Sequence, residues 1–264
     1  MKKSKPVISI LITHYNRPTD LLQCVKAVHK ANIANYEVVV SDDGSTIENI
    51  KIIETYNIDK LILSDVNNGL AANINKGLKA CTGQYVIYCQ EDFMIKPEIN
   101  DIMSECINLL KSKKADLIRF SSYFQFNKLI WLTETISIIP KFSFYNFTQN
   151  YYRYSDHPFI TKRSFYETYG YYLENTSGRY GEMEYGIRIC NTSAKIAITN
   201  ISYASTVEGS QSILINEFAS KKLKVKFNKS FIKIARAIRL YFEWVFYDRK
   251  RRGLITYRNG RKQD

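Results

Sequence analysis

No Cys-x-x-Cys pair occurs among the five cysteines, Cys24, Cys81, Cys89, Cys106 and Cys190. Their odd number and scattered spacing argue against a disulfide framework or a zinc site and predict a reducing, cytoplasmic compartment. The three histidines, His14, His29 and His157, offer no His-x-x-x-His spacing for a metal set. No uncharged stretch approaches the ~20 apolar residues of a spanning helix. The early apolar run Val7 to Ile12 is too short for a secretory signal, and no small-residue cleavage site follows it. GxxxxGK[ST] and GxGxxG are both missing, so neither a P-loop nor a dinucleotide-binding turn is supported. A Ser/His/Asp nucleophile arrangement, an internal repeat and a low-complexity tract are also absent. Disorder is excluded as the dominant state, because 45% of the 264 residues are hydrophobic and 14% aromatic. The chain is long enough for one large domain or two small ones.

Acidic residues are scarce at one end. From Lys221 onward there are fifteen basic residues against Glu243, Asp248 and Asp264, so this segment holds +12 of the net +13. The preceding 220 residues are nearly neutral. A polycationic end on a neutral body predicts contact with phosphate groups, of lipid or of nucleic acid. The main boundary is therefore expected near residue 220.

Within the body, apolar periodicity alternates between strand and helix. Val7 to Ile12, Glu37 to Ser41, Lys60 to Ser64, Gln84 to Cys89 and Asp116 to Phe120 read as strands. Helices are expected over Thr19 to Ala31, Ala71 to Ala80 and Glu98 to Lys113. Another should open at Ser45, whose spacing to Glu48 is that of a capping box. This alternation predicts an α/β fold with a mostly parallel sheet flanked by helices. In such sheets ligands bind beyond the carboxyl ends of the strands.

Three polar clusters sit at strand ends: Thr13-His-Tyr-Asn-Arg-Pro18, Asp42-Asp-Gly-Ser45 and Gln90-Glu-Asp92. Each alone could be an ordinary turn. Together they place hydroxyl, aromatic and carboxylate groups on one sheet edge. Adjacent carboxylates with oxygen-only neighbours suit a hard divalent cation, Mg2+ or Mn2+, that also holds phosphate oxygens.

These blocks, with Asn68-Gly and Gly83-Gln-Tyr-Val-Ile-Tyr-Cys-Gln-Glu-Asp92, resemble the family 2 glycosyltransferases over roughly residues 7 to 100. The resemblance implies a GT-A, Rossmann-like fold and inverting transfer of sugar from a nucleotide-sugar donor. It implies that Thr13, Tyr15, Asn16, Arg17 and Asp43 form the nucleotide-sugar site, and that Asp92 and Glu91 fill the family's metal element. This stretch reads Gln-Glu-Asp where the family usually has Asp-x-Asp. Residues about 1–120 would then be the donor half and 121–220 the acceptor half of one domain.

A base for the acceptor hydroxyl is expected in Gly181-Glu-Met-Glu-Tyr-Gly-Ile-Arg188, which resembles the family pattern EDxExxxR with Gly181 at the first acid. Glu182 is the candidate. Glu184 is the alternative, although its i,i+4 spacing to Arg188 suits an ion pair. His157 is read as structural, and the dense aromatics between Phe120 and Tyr154 as mostly core. Phe231 to Tyr247 reads as a basic amphipathic helix, able to lie on an anionic membrane at its inner face; the alternative is a helix packed on the catalytic body with its lysines solvated. The expected acceptor is a glycan, lipid-linked surface polysaccharide in particular. Competing readings are a nucleotidyltransferase of similar fold and a non-catalytic module binding anionic lipid or RNA. No glycine-rich, lysine-bearing loop near the first strand supports the former.

Overall fold

The structure, a computed structural model, describes residues 6–120, 125–176, 178–207, 229–248, 251–252 and 255–256. The first half alternates as expected: β1 (Ile8–His14), α1 (Pro18–Lys30), β2 (Tyr36–Asp42), α2 (Ile47–Ile53), β3 (Lys60–Ile62), α3 (Leu70–Ala80) and β4 (Tyr85–Gln90). A short β5 (Phe93–Ile95) and α4 (Ile99–Lys111) follow, then β6 (Leu117–Arg119), β7 (Ile130–Trp131) and β8 (Ile136–Ile138). The remaining elements are short 3-10 turns at Phe144–Asn146 and Asn150–Tyr152, β9 (Phe159–Lys162), α5 (Ser164–Tyr169), α6 (Gly178–Cys190), β10 (Ile196–Thr199), β11 (Ala204–Thr206), α7 (Lys229–Val245), β12 (Arg251–Arg252) and β13 (Ile255–Thr256).

Nine strands form one sheet in the order β3-β2-β1-β4-β9-β6-β10-β8-β7. The first four are parallel. β9 then runs antiparallel to both β4 and β6, while β6 and β10 are parallel to each other. The proposed donor and acceptor halves thus interleave in a single sheet, because β9 lies between β4 and β6. The unbroken apolar run of β1 has a simple cause. Ile8, Ile10 and Ile12 pack under α1 and α4 with Leu21, Cys24 and Ile102, whereas Leu11 points to the opposite core with Ile74, Leu78 and Tyr185. A strand covered on both faces has no polar side. Each fully buried Ile or Leu there contributes about 1.5–3 kcal/mol.

Local signals mostly agree. Pro18 opens α1, Asp20 lies in its first turn, and His29 and Lys30 lie in its last, matching the helix dipole. The cap of α2 differs from expectation. Thr46, not Ser45, is the N-cap and accepts from the Asn49 N–H. Ser45 is drawn away by Asp42, to whose Oδ2 its hydroxyl donates at 2.5 Å.

α7 packs on the body along one side only. Ala237 and Leu240 are buried beside Tyr151, with Tyr152, Met183 and Tyr241 against them. The Tyr241 hydroxyl donates to the Phe147 carbonyl (2.6 Å) and accepts from Asn150 Nδ2 (2.8 Å). Tyr247, just beyond α7, donates to Glu184 on α6. Ile234, Ile238, Phe242, Val245 and Phe246 face solvent. Among the described residues no helix is long and apolar enough to cross a membrane. Much of the basic segment, 208–228 and 257–264 included, lies outside the described residues.

Candidate active site

The register of the parallel strands brings the three clusters to one level. Thr13 on β1 pairs with Ser41 on β2 and Gln90 on β4, and His14 pairs with Asp42. Reversed β9 begins at the same edge, where Phe159 pairs with Tyr88 and Arg119. Residues following β1, β2 and β4 therefore meet residues preceding β9.

Asp42 and Asp43 have different tasks. His14 Nε2 accepts from the Arg17 N–H (3.1 Å), so its proton sits on Nδ1 and is donated to Asp42 Oδ2 at 2.7 Å. Burial opposes charge on Asp42, but the bonds from His14 and Ser45 outweigh it and leave its pKa lowered. Asp42 is a fully buried anchor. Asp43 Oδ1 and Oδ2 accept the N–H groups of Asn68 (2.8 Å) and Gly69 (2.9 Å). This latches the 66–69 loop onto the β2 turn. Gly44 permits the approach: its φ is +75°, and a Cβ there would lie 2.5 Å from the Val66 carbonyl carbon. Burial raises the Asp43 pKa, against the two N–H bonds and Lys76. Lys76 itself donates to the Asp42 carbonyl and the Ser64 hydroxyl.

Two of the five expected donor residues are spent on this scaffold. Thr13 is buried, its hydroxyl 3.2 Å from Tyr88 OH. Asn16, at φ 52°, accepts through Oδ1 from Thr46 N–H (2.8 Å) and Asn49 Nδ2 (3.0 Å). Tyr15 and Arg17 are partly exposed at the edge.

Arg17 joins the first cluster to the third. Its guanidinium pairs with Asp20 at 2.7 Å and stands 3.5 Å from both Glu91 Oε1 and Asp92 Oδ2. Burial, then the neighbouring Asp92, pushes the Glu91 pKa up to about 8; burial also raises Asp92, with Arg17 opposing. Asp92 Oδ1 is buried without a hydrogen-bond partner among the described residues. An orphaned carboxylate oxygen beside a second carboxyl fits a hard cation that takes its other ligands from substrate phosphates and water. No group of three or more His, Cys, Asp or Glu side chains among the described residues makes a complete protein cage.

Glu182 lies near the start of α6, and its Oε1 accepts the Asp156 N–H at 3.2 Å. Burial raises its pKa, opposed by that N–H and by Arg119. Arg119 is buried on β6 and donates to the carbonyls of Tyr152 and Arg153. Glu184 does something else. Its two oxygens accept from Arg188 Nε (3.0 Å) and NH2 (2.9 Å), and Arg188 also reaches the Tyr169 and Tyr171 carbonyls. Glu184 and Arg188 are a buried clamp tying α6 to the loop after α5.

Residue-pattern reasoning did not find Asp156 or Arg119. Asp156 is 2% exposed and gripped by Tyr154 and Tyr172, and the one visible hint was its place just before His157-Pro158. His157 packs against Phe93, with its pKa pushed down to about 3 by burial and Arg119. The aromatic segment is less buried than expected. Tyr151 and Tyr154 are core, but Trp131, Phe144 and Tyr145 are 71%, 83% and 74% exposed. Tyr123 and Phe124 lie outside the described residues.

Known proteins are similar to this chain in sequence and in fold. The chain is 32% identical over 98 residues to the amylovoran biosynthesis glycosyltransferase AmsE of Erwinia amylovora, covering 35% of this chain and 37% of that one. It is 27% identical over 99 residues to chondroitin synthase of Escherichia coli, covering 36% and 14% respectively. The chain thus spans well under half the length of these relatives. In fold it is similar to S. aureus TarS 1-349 in complex with UDP-GlcNAc, with a TM-score of 0.59, 14% identity, and 89% of this chain and 72% of that chain covered. It is also similar to the mannosyltransferase PcManGT of Pyrobaculum calidifontis in complex with GDP-Man and Mn2+, with a TM-score of 0.56, 15% identity, and coverages of 93% and 65%. A sequence profile of Glycosyl transferase family 2 matches residues 9–172, more than half of the chain and all three strand-end clusters. The chain belongs to glycosyl transferase family 2.

Proposed function

We propose that this protein transfers a sugar, with inversion, from a nucleotide-sugar donor to a hydroxyl of a glycan acceptor in surface-polysaccharide synthesis, lipid-linked at the inner membrane face. The observation that carries the reading is that Asp43, Glu91 and Asp92 follow strands aligned in register on one sheet edge of a family 2 chain, with Glu182 bonded to Asp156 just ahead of β9, which starts at that edge. Tyr15, Arg17 and Asp43 would hold the donor, with Thr13 and Asn16 shaping the turn that carries them. Asp92 and Glu91 would hold Mn2+ or Mg2+ with the diphosphate, and that cation would supply charge stabilisation as the diphosphate departs. Arg17 adds a fixed positive charge at the same place. Glu182 takes the proton of the acceptor hydroxyl while the new C–O bond forms opposite the breaking one. A direct displacement of this kind inverts the anomeric centre. Screening a panel of nucleotide sugars for hydrolysis and transfer by mass spectrometry, with and without Mn2+, tests the reading. Absence of turnover with every donor and acceptor would reject it.

Asp43 should matter to the nucleotide even without metal. Asp43→Ala unlatches the 66–69 loop and removes the carboxylate offered to the base. Charge-assisted bonds are worth about 1.5–3 kcal/mol, so nucleoside diphosphate affinity measured by calorimetry in chelator should fall roughly 10- to 100-fold. A loss seen only when metal is present would contradict the assignment.

α7 supports the membrane part of the reading. Along it, Ile234, Ile238, Phe242 and Val245 form an exposed apolar face, Lys233 and Arg236 are exposed, and Arg239 pairs with Glu243 at 3.5 Å. Substituting Ile238→Ser and Phe242→Ser should weaken binding to anionic vesicles about tenfold or more, since each apolar side chain buried contributes about 1.5–3 kcal/mol. Sedimentation across a salt series should also show weakening of the parent, at about 1 kcal/mol per basic residue engaged. Parent-like vesicle binding by the double variant would remove this face from the contact.

A further inference from the structure

Asp156 precedes β9 with its carboxyl enclosed. Oδ1 accepts from the hydroxyls of Tyr154 (3.0 Å) and Tyr172 (2.8 Å). Oδ2 is buried and has no hydrogen-bond partner among the described residues. The Asp156 N–H donates to Glu182 Oε1 at 3.2 Å, so the two carboxyl-bearing residues are neighbours, Asp156 buried and Glu182 partly exposed. Around Asp156 the other titratable neighbours are phenols: Tyr88 from β4, Tyr166 from α5 and Tyr185 from α6. The nearby cation, Arg119 from β6, acts on Glu182, and His157 is held neutral.

The asymmetry decides which carboxyl holds a proton. Two like charges in one water-poor site are not both ionised. Glu182 has an N–H bond and the field of Arg119 to support its charge. Asp156 has two phenol donors on one oxygen and no partner among the described residues on the other. Burial, and then Glu182, raises the Asp156 pKa well above the carboxylate range.

We propose that Asp156 is a positioning residue that keeps the single proton of this carboxyl pair and leaves Glu182 as the ionised member facing the acceptor. The inference rests on the reading of Glu182 as base. In the transfer step Glu182 accepts the hydroxyl proton, the acceptor oxygen bonds to the anomeric carbon, and the electron pair of the broken bond leaves with the diphosphate. Asp156 keeps its proton throughout, and its N–H fixes the direction of Glu182.

Infrared spectroscopy of the full-length protein tests this without turnover. The parent at neutral pH should show the carbonyl stretch of a protonated carboxylic acid that shifts on carboxyl-13C labelling of aspartate. The band should persist in Glu182→Gln and vanish in Asp156→Asn. Tyr172→Phe, which keeps Asp156 but removes one donor to Oδ1, should move it to higher frequency. In the pH profile of kcat/KM, Asp156→Asn should keep the acid limb in place, because a neutral amide replaces a neutral acid. A missing band in the parent, a band unchanged by both substitutions, or an acid limb displaced by roughly one pH unit would overturn the proposal. Failure of the base reading is separate: Glu182→Gln would then transfer sugar at the parent rate whatever the infrared result.

Discussion

Glu182→Gln is expected to bind donor like the parent and to transfer sugar on the order of 10²–10⁴-fold more slowly, the usual consequence of losing a general base. Gln keeps an oxygen for the Asp156 N–H, so the shape of the α6 start is retained and only the proton acceptor is lost. Melting temperature should therefore change little. Glu184→Gln should do the opposite. It breaks a bidentate buried pair with Arg188, and leaving one member of such a pair unmatched costs about 3–5 kcal/mol. The two variants can thus be told apart by a thermal melt beside a single-turnover rate. NMR of the product should give the inverted anomer. Full transfer by Glu182→Gln, or retained configuration, would displace Glu182 from the base role.

Asp92→Asn has the second large effect. The substitution keeps volume and removes the charge on a carboxylate of the edge whose Oδ1 has no hydrogen-bond partner among the described residues. Metal-dependent binding of nucleoside diphosphate should be lost in calorimetry, and turnover should drop on the order of 10³-fold, since charge stabilisation by a cation is worth several kcal/mol. Arg17 keeps Asp20 and Glu91 as partners, so the protein should fold as before. Equal metal-dependent binding by parent and variant would take Asp92 out of the site.

The proposed donor edge was legible because polar clusters directly follow the parallel strands. Thr13 to Pro18, Asp42 to Ser45 and Gln90 to Asp92 each follow a short apolar run, and register alone aligns them. The second half was less legible for a physical reason. β7, β8 and β10 are two to four residues long, too short for periodicity to register, and β9 runs backwards. Its functional neighbours come before the strand, where pattern reading does not look. Asp156 was hidden in this way, and Arg119 was hidden inside β6 as the one charge in an apolar strand. The capping box misled because Ser45 had a better partner in Asp42 than in the helix it precedes. The polycationic end was visible as charge, but its helix docks on the 147–152 segment through Tyr241 and beside α6 through Leu240 and Tyr247, which charge counting does not reveal.

The reversed strand has a consequence for how such a protein can diverge. β1, β2 and β4 deliver side chains to the edge where they end, whereas β9 delivers them where it begins. Lengthening or rewriting the chain ahead of β9, from about residue 139 to residue 158, changes one wall of the cleft without shifting any strand register on the other wall. Tyr88↔Phe159 is the seam between the two. A lineage can therefore exchange what stands opposite the proposed donor site while that site stays the same, and hybrid chains joined on either side of this seam are the natural unit of exchange.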